Sequence, residues 1–305
     1  MINKTILKKA LSKIDQRHKE SENFAYTNLK KAMSFEDFKQ NYTKLKEIEF
    51  ENAKNEVYGN NLKIDTKNLI NEQEKILLSH NINPLSLIPH YTCTKCDDTG
   101  FVNGEMCVCL KHEINNILFE ESGFNHKLMS FDDANLKIFD NSEKIKILYN
   151  TMKKWCNDNS KYQIILLCGQ TGVGKTYLME CMANELIKKE NIVYFASAFN
   201  VNQNLLKYHT TFDNTKYDSL NNLLDPDYLF IDDLGTEPIL KNVTVEGIYN
   251  IIADRLEHNK KTIISTNLDL GNIEERYGER IFSRLVNKNT SLCFYVENSD
   301  LRLKK

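Results

Sequence analysis

The chain has 305 residues, of which 41% are hydrophobic and 27% charged, and its formal net charge at pH 7 is −2. Such totals describe a folded globular chain of about two domains, not a disordered or fibrous one. They supply no global positive field, so any contact with nucleic acid must come from a local patch. No apolar run nears the ~18 residues of a membrane span, and the start of the chain lacks the apolar core and small-residue cleavage site of a signal peptide.

Residues 1–90 read as a helical N-terminal region. Ile2, Ile6, Leu7, Ala10, Leu11 and Ile14 fall on one helical stripe. Phe35, Phe38, Tyr42, Leu45, Ile48 and Val57 repeat mostly at spacings of three and four, and Glu36-Asp37 suits the positive end of that helix. A third helix is expected from about Thr66 to His80, carrying Leu69, Ile70, Ile76 and Leu77. The region holds 15 Lys and Arg against 12 Asp and Glu, which is too balanced for a basic nucleic-acid arm. Two uses stay open: a small helical domain packed only on itself, or one that leaves an apolar stripe free to dock a protein.

The stretch 91–128 opens with Cys93-x-x-Cys96 and returns through a glycine-containing ribbon to Cys107-x-Cys109. A Cys-x-x-Cys turn brings two thiolates to one ion, and four thiolates suit tetrahedral Zn²⁺. The single-residue spacing of the second pair leaves open whether His90 or His112 replaces a cysteine. A redox dithiol is the weaker alternative, because no thioredoxin-like βα unit surrounds the pair. A linker closes this stretch, with a helix over Ile114–Glu121, and a domain boundary is expected near 128.

The remainder, 129–305, reads as one α/β domain. It begins with an extended, aromatic-bounded segment, Phe131–Phe139, and an amphipathic helix, Ser142–Asn157, with Ile145, Leu148, Met152 and Trp155 on one face. Ile164–Cys168 is a continuous apolar run, short enough for a buried parallel strand. It leads into Gly169-Gln170-Thr171-Gly172-Val173-Gly174-Lys175-Thr176, a phosphate-binding loop, followed by a helix over Tyr177–Lys189. The glycines let backbone N–H groups turn inward on an anion, and the helix presents its positive end to it. Lys175 would reach the β- and γ-phosphates of ATP, and the Thr176 hydroxyl would ligate Mg²⁺. Cys168, Cys181 and Cys293 sit among apolar neighbours and read as core residues. Scattered thiols in a nucleotide-binding chain fit a reducing, cytoplasmic setting without disulfides.

A second strand is expected at Ile192–Ala196, then mixed helical pieces from Ala198 to about Leu223 and a turn at Asp225-Pro226-Asp227. Tyr228–Gly235 is an apolar strand ending in Asp232-Asp233. Asp232 would hold Mg²⁺, directly or through water, and Asp233 would orient or deprotonate the attacking water. Val243–Glu257 reads as a helix and Lys261–Asn267 as a fourth strand, whose end offers Ser265, Thr266 and Asn267 to the ligand crevice. Asn267 would contact the γ-phosphate or the water, although an Asn there also serves as a turn former. One helix is expected over Glu274–Lys288, lining up Arg276, Arg280, Arg284 and Lys288 on a single face. Leu292–Val296 is a fifth strand.

Taken in this order, Gly169–Thr176, Leu229–Gly235, Ser265–Asn267 and Gly278–Leu285 resemble the AAA+ ATPases, and more narrowly the bacterial replicative helicase loaders of the DnaC and DnaI type. The upstream cysteine cluster resembles the zinc module of the DnaI-like branch. The resemblance implies a P-loop core with a five-stranded parallel sheet. It also implies Arg284 as an arginine finger acting on a neighbouring subunit's nucleotide, Arg280 as the next candidate, and Arg302 as the second sensor arginine. The nine residues after Val296 leave no room for the C-terminal lid of the broader family, as in the loader branch. Asp233 stands where the broader family has Glu, and its shorter reach suits slow hydrolysis. The implied function is ATP-dependent loading of a hexameric replicative helicase onto single-stranded DNA, with self-association through the ATPase domain and no membrane partner. Two alternatives are a transposase-helper ATPase of the IstB type and an ATP-binding adaptor without significant turnover.

Overall fold

The computed structural model describes residues 3–59, 63–124, 126–158, 160–213 and 215–303. Ile2 of the first stripe lies outside them. The chain divides into two compact units, Ser12–Glu105 and Met1–Leu11 with Met106–Lys305.

The smaller unit takes most of helix α1 (Lys4–Ala32), with α2 (Glu36–Val57) and α3 (Lys67–Ser79). The last two match the expected stripes to within a residue or two. Ala32, Phe38, Leu77 and Ile82 form its core, where the turn after α1 and the end of α3 meet. Phe35 stacks on His80 with ring centroids 3.8 Å apart, and His80 bonds the Asp37 carboxylate at 2.9 Å. Asn83 caps the 3₁₀ turn Pro84–Leu87 by accepting from the Leu85 amide. A two-stranded ribbon, β1 (Phe101–Val102) and β2 (Glu105–Met106), follows.

The larger unit carries α4 (Val108–Ser122), α5 (Ser142–Asn157), β3 (Ile164–Cys168), α6 (Lys175–Lys188), β4 (Val193–Ser197), α7 (Ala198–Thr210), α8 (Lys216–Leu224), β5 (Tyr228–Leu234), α9 (Thr244–Glu257), β6 (Lys261–Thr266), α10 (Leu270–Tyr277), α11 (Glu279–Leu285) and β7 (Ser291–Tyr295). The five expected strands form one parallel sheet in the order β4-β5-β6-β3-β7. Strand β3 is flanked on both edges, Ile165 facing Ile263 on one side and Leu292 on the other. All five of its residues are buried, as a parallel strand between helical layers requires. Met152, Trp155, Leu178, Met179 and Phe230 pack in the core against it.

The start of α1 is a built part of this unit. Asn3 is buried and donates to the Asp218 carbonyl at 2.9 Å and to Asn222 Oδ1 at 2.7 Å. Arg255 is also fully buried. It donates to the Leu223, Leu224, Pro226, Asp227 and Lys261 carbonyls and to the Thr262 hydroxyl. It thereby satisfies the last carbonyls of α8 and fixes the Asp225–Asp227 turn, so it needs no carboxylate partner.

Three expectations are corrected. The Phe131–Phe139 segment is not extended; it makes a turn and then a 3₁₀ turn at Leu136–Ile138, where the Asn135 side chain accepts from the Lys137 amide. Cys293 is exposed rather than in the core, because β7 is an edge strand whose side chains alternate between two faces. The single helix expected over Glu274–Lys288 is two helices. Gly278 breaks it at φ 84°, ψ 161°, a region that only glycine enters readily. Arg276 therefore belongs to α10, Arg280 and Arg284 to α11, and Lys288 lies beyond both.

A Cβ at Gly278 would have open space, so Gly278→Ala should act through the backbone alone. It is expected to destabilise the unit by about 1–3 kcal/mol, lowering Tm by about 2–4 °C per kcal/mol. An unchanged thermal melt would remove this explanation of the helix break.

Candidate functional site

Residue 169 follows the last residue of β3, and the loop that begins there ends at Gly174, which caps α6. Gly172 has φ 82°, and a Cβ there would collide with the Asp300 carboxylate. The C-terminal segment lies directly on the loop, with the Leu301 amide donating to the Gly172 carbonyl at 3.0 Å. Lys175 is 5% exposed. Its Nζ donates to the Gly169 and Gln170 carbonyls, both at 2.8 Å, and to Asn267 Oδ1 at 2.7 Å. Burial holds its pKa below the ordinary lysine value, opposed by the charges of Asp233 and Asp232.

Asp232 joins three elements. Its carboxylate accepts from the Thr176 hydroxyl on α6 at 2.8 Å and from the Ser265 hydroxyl on β6 at 2.5 Å. Burial is the main reason its pKa stands above the ordinary carboxylate value, with repulsion from Asp233 adding to it. Successive residues of a regular strand face opposite sides, so two adjacent acids would not share a site. The β5–β6 pairing is irregular between Ile231 and Leu234, and Asp233 has φ 56°. This bulge re-aims the second acid. The Asp233 amide donates to Ser265 Oγ at 2.8 Å, and its carboxylate accepts from Asn267 Nδ2 at 3.4 Å. Asn267 thus bridges Lys175 and Asp233.

A cavity of ≈590 Å³ opens here, within the range of small-molecule sites. Lys175, Thr176, Asp233, Asn267 and Arg302 line it together with the apolar Leu136, Phe139, Tyr149 and Leu301. The structure therefore brings Arg302 to the same cavity as the loop, where it pairs with Asp300 at 3.2 Å. The sequence does not mark this apolar lining. Its nearest signal is the aromatic-bounded segment before α5, whose turn carries Leu136 and Phe139 inward. The Tyr149 hydroxyl is buried and has no hydrogen-bond partner among the described residues, so this apolar lining carries one unpaired polar atom. Phosphate would meet the loop and Lys175, and Thr176 with Asp232 could serve as a donor pair for Mg²⁺.

Arg280 and Arg284 do not line the cavity. Both sit on the Tyr249 ring of α9, their guanidiniums 4.2 and 4.5 Å from its centroid. Arg284 also donates to the Tyr249 hydroxyl at 2.9 Å.

The ligand atoms of Cys93, Cys96, Cys107 and Cys109 lie within 4.8 Å of one another. Four sulfurs ~2.3 Å from one ion stand just under 4 Å apart, so this donor set fits tetrahedral Zn²⁺. Neither histidine belongs to the group, and His90 is bonded to the Leu85 carbonyl at 2.8 Å. Asp98, unnoticed in the sequence, is buried and accepts from the Thr92 and Cys93 amides at 2.6 and 3.1 Å. It shapes the first cysteine turn. Among the described residues no helix is long and apolar enough to cross a membrane.

Comparison with known proteins adds a family. The model of the family described as IstB-like ATP binding protein matches residues 130–304. The chain is 26% identical over 220 residues to the phage-like element PBSX protein XkdC of Bacillus subtilis, a match covering 63% of this chain and 79% of that one. It is 29% identical over 124 residues to the replicative helicase loader DnaI of the same organism, covering 40% of this chain and 38% of DnaI. The crystal structure of the DnaC helicase loader is similar at 24% identity and a TM-score of 0.46, covering 55% of this chain and 98% of that one.

About one zinc per chain is expected in protein purified without chelator, and its loss in a Cys93→Ser/Cys96→Ser variant. Elemental analysis that finds no metal in the wild-type protein would refute the zinc assignment.

Proposed function

The chain belongs to the IstB-like ATP-binding protein family, and from that premise we propose that it is an AAA+ ATPase that loads a replicative helicase onto single-stranded DNA. One observation carries the ATPase half: the β5 bulge turns Asp233 onto the cavity that Lys175 and Asn267 line, beside Asp232. In this reading the γ-phosphate draws Lys175 off the loop carbonyls. Thr176 and Asp232 would hold Mg²⁺, which would supply neutralising charge for the phosphate oxygens. Asp233 and Asn267 orient the attacking water. Arg302, which lines the same cavity, exchanges Asp300 for the nucleotide. Tyr149, Phe139 and Leu136 receive the base.

Hydrolysis also needs positive charge at the transferring phosphoryl group. Arg280 and Arg284 lie off their own chain's cavity, which suits action on a neighbour's nucleotide after self-association. Asp233, a short acid in the place of the water-orienting group, suits a slow switch.

The loader half is supported by the similarity to DnaI and by the cysteine cluster. We assign 1–90 to docking the helicase, 91–128 to the zinc module and linker, and 129–305 to the ATPase. The α7–α8 connection is the candidate DNA contact. Phe212 is 95% exposed and Tyr217 56% exposed, and Lys216 Nζ lies 4.9 Å from the Tyr208 ring centroid. Exposed aromatics beside lysines form stacking platforms for single strands. The match to an IstB-like family keeps a second reading, a transposase-helper ATPase of the IstB type.

Lys175→Ala is expected to abolish ATP binding and hydrolysis; near-normal turnover would sink the ATPase assignment and leave an adaptor. Arg284→Ala should keep ATP binding while assembly-dependent turnover falls by about 100-fold or more. Equal loss of both would mean that the arginine acts within its own chain. Co-purification with the hexameric replicative helicase, with and without ATP, tests the loader. A stable complex with a transposase and none with the helicase would select the second reading.

A further inference from the structure

Glu237 lies four residues beyond Asp233 and is not part of the cavity. It is 1% exposed. Its carboxylate accepts from the Gly235 amide at 2.8 Å and from the Tyr277 hydroxyl, and it pairs with the Arg276 guanidinium at 3.9 Å. The same guanidinium donates to the Glu237 carbonyl. Tyr277 is buried as well, and Arg276 lies over its ring with 5.6 Å to the centroid. A carboxylate this deep is tolerated only with such partners.

The partners lie on two functional segments. On one side is the turn after Asp233. Thr236 donates to the Asp233 carbonyl through its amide at 3.2 Å and its hydroxyl at 2.8 Å, and Gly235 is tied to the Glu237 carboxylate. This turn holds Asp233 at positive φ, a conformation that persists only where its surroundings enforce it. On the other side is the end of α10. Tyr277 is its last residue, Gly278 opens α11, and Arg280 and Arg284 follow. One buried carboxylate therefore fixes both the acid at the chain's own nucleotide site and the root of the helix that carries the two arginines.

We propose that Glu237 and Tyr277 are positioning residues that couple these two groups, so that Asp233 and the Arg280–Arg284 helix change arrangement together. The inference rests on the reading that Arg284 serves a neighbouring subunit. The chain of contacts is continuous, from Asp233 through Thr236, Glu237 and Tyr277 to α11. It transmits the state of one nucleotide site to the arginine offered to the next.

The test uses the full-length protein. Tyr277→Phe removes one hydroxyl and keeps the ring; Glu237→Gln keeps the shape and removes the charge. Turnover is measured at saturating ATP over a range of protein concentrations, and binding with a fluorescent ATP analogue. Each variant should lose about tenfold in turnover at high protein concentration while the dissociation constant stays within about twofold. In an Arg284→Ala background, Tyr277→Phe should lower turnover by less than about twofold more, because the two act on one step. A full tenfold loss in that background, equal loss of binding and turnover, or wild-type turnover in both variants would overturn the coupling. Normal turnover for Arg284→Ala alone would overturn the assembly reading and this inference with it. A fall for Arg284→Ala with none for Tyr277→Phe or Glu237→Gln would overturn this inference only.

Discussion

The geometry of the candidate site hangs on two hydroxyls that meet one carboxylate. Thr176 and Ser265 both donate to Asp232. They join the first turn of α6 and the end of β6 to the end of β5. A buried carboxylate without such donors would be driven to its neutral form. Burial and the neighbouring Asp233 already push Asp232 in that direction, so the hydroxyls act against both. The arrangement is poised to gain from a divalent cation, which would lower the pKa of Asp232 and relieve the repulsion between the two acids. Lys175 stands in the opposite situation, a cation held by carbonyl oxygens and an amide oxygen. These contacts are weaker than a phosphate would supply.

Much of this was legible in the sequence because it is local. The phosphate loop is set by residue types at fixed offsets, and the apolar run Ile164–Cys168 has the length and composition of a buried strand. Ser142–Asn157 declared its helix through one clean stripe. The identities of Asp232, Asp233 and Asn267 were also readable from strand ends. That Asp233 turns onto the cavity was not, because it depends on a bulge in the pairing of β5 with β6, far apart in the chain.

The failures have one local cause and two tertiary ones. The four-residue spacing of Arg276, Arg280, Arg284 and Lys288 suggested one helix, but Gly278 sits inside that pattern and its backbone conformation outranks the spacing. Cys293 has apolar neighbours in sequence, yet its strand lies at the sheet edge, a fact fixed by strand order. Nothing in the sequence marks Tyr149 of α5 as part of a site. Only the folded-in segment before α5 places it at the wall of a cavity. Tertiary closure decides the apolar lining of the cavity, whereas local chain chemistry decides the loop with Lys175 and Thr176.

The parallel sheet and the cysteine stretch pose different physical problems. The sheet is buried between helices and supported by apolar packing, so polar residues near it can be spent on the site. The cysteine stretch has little apolar surface of its own: Phe101 and Val102 are exposed, and its paired strands have two residues each. A two-stranded ribbon of that size is marginal in water. Four converging sulfurs and the buried Asp98 supply what packing does not, and a metal bound there would contribute folding energy directly. Order in this stretch would then depend on the metal and order at the nucleotide site on the sheet.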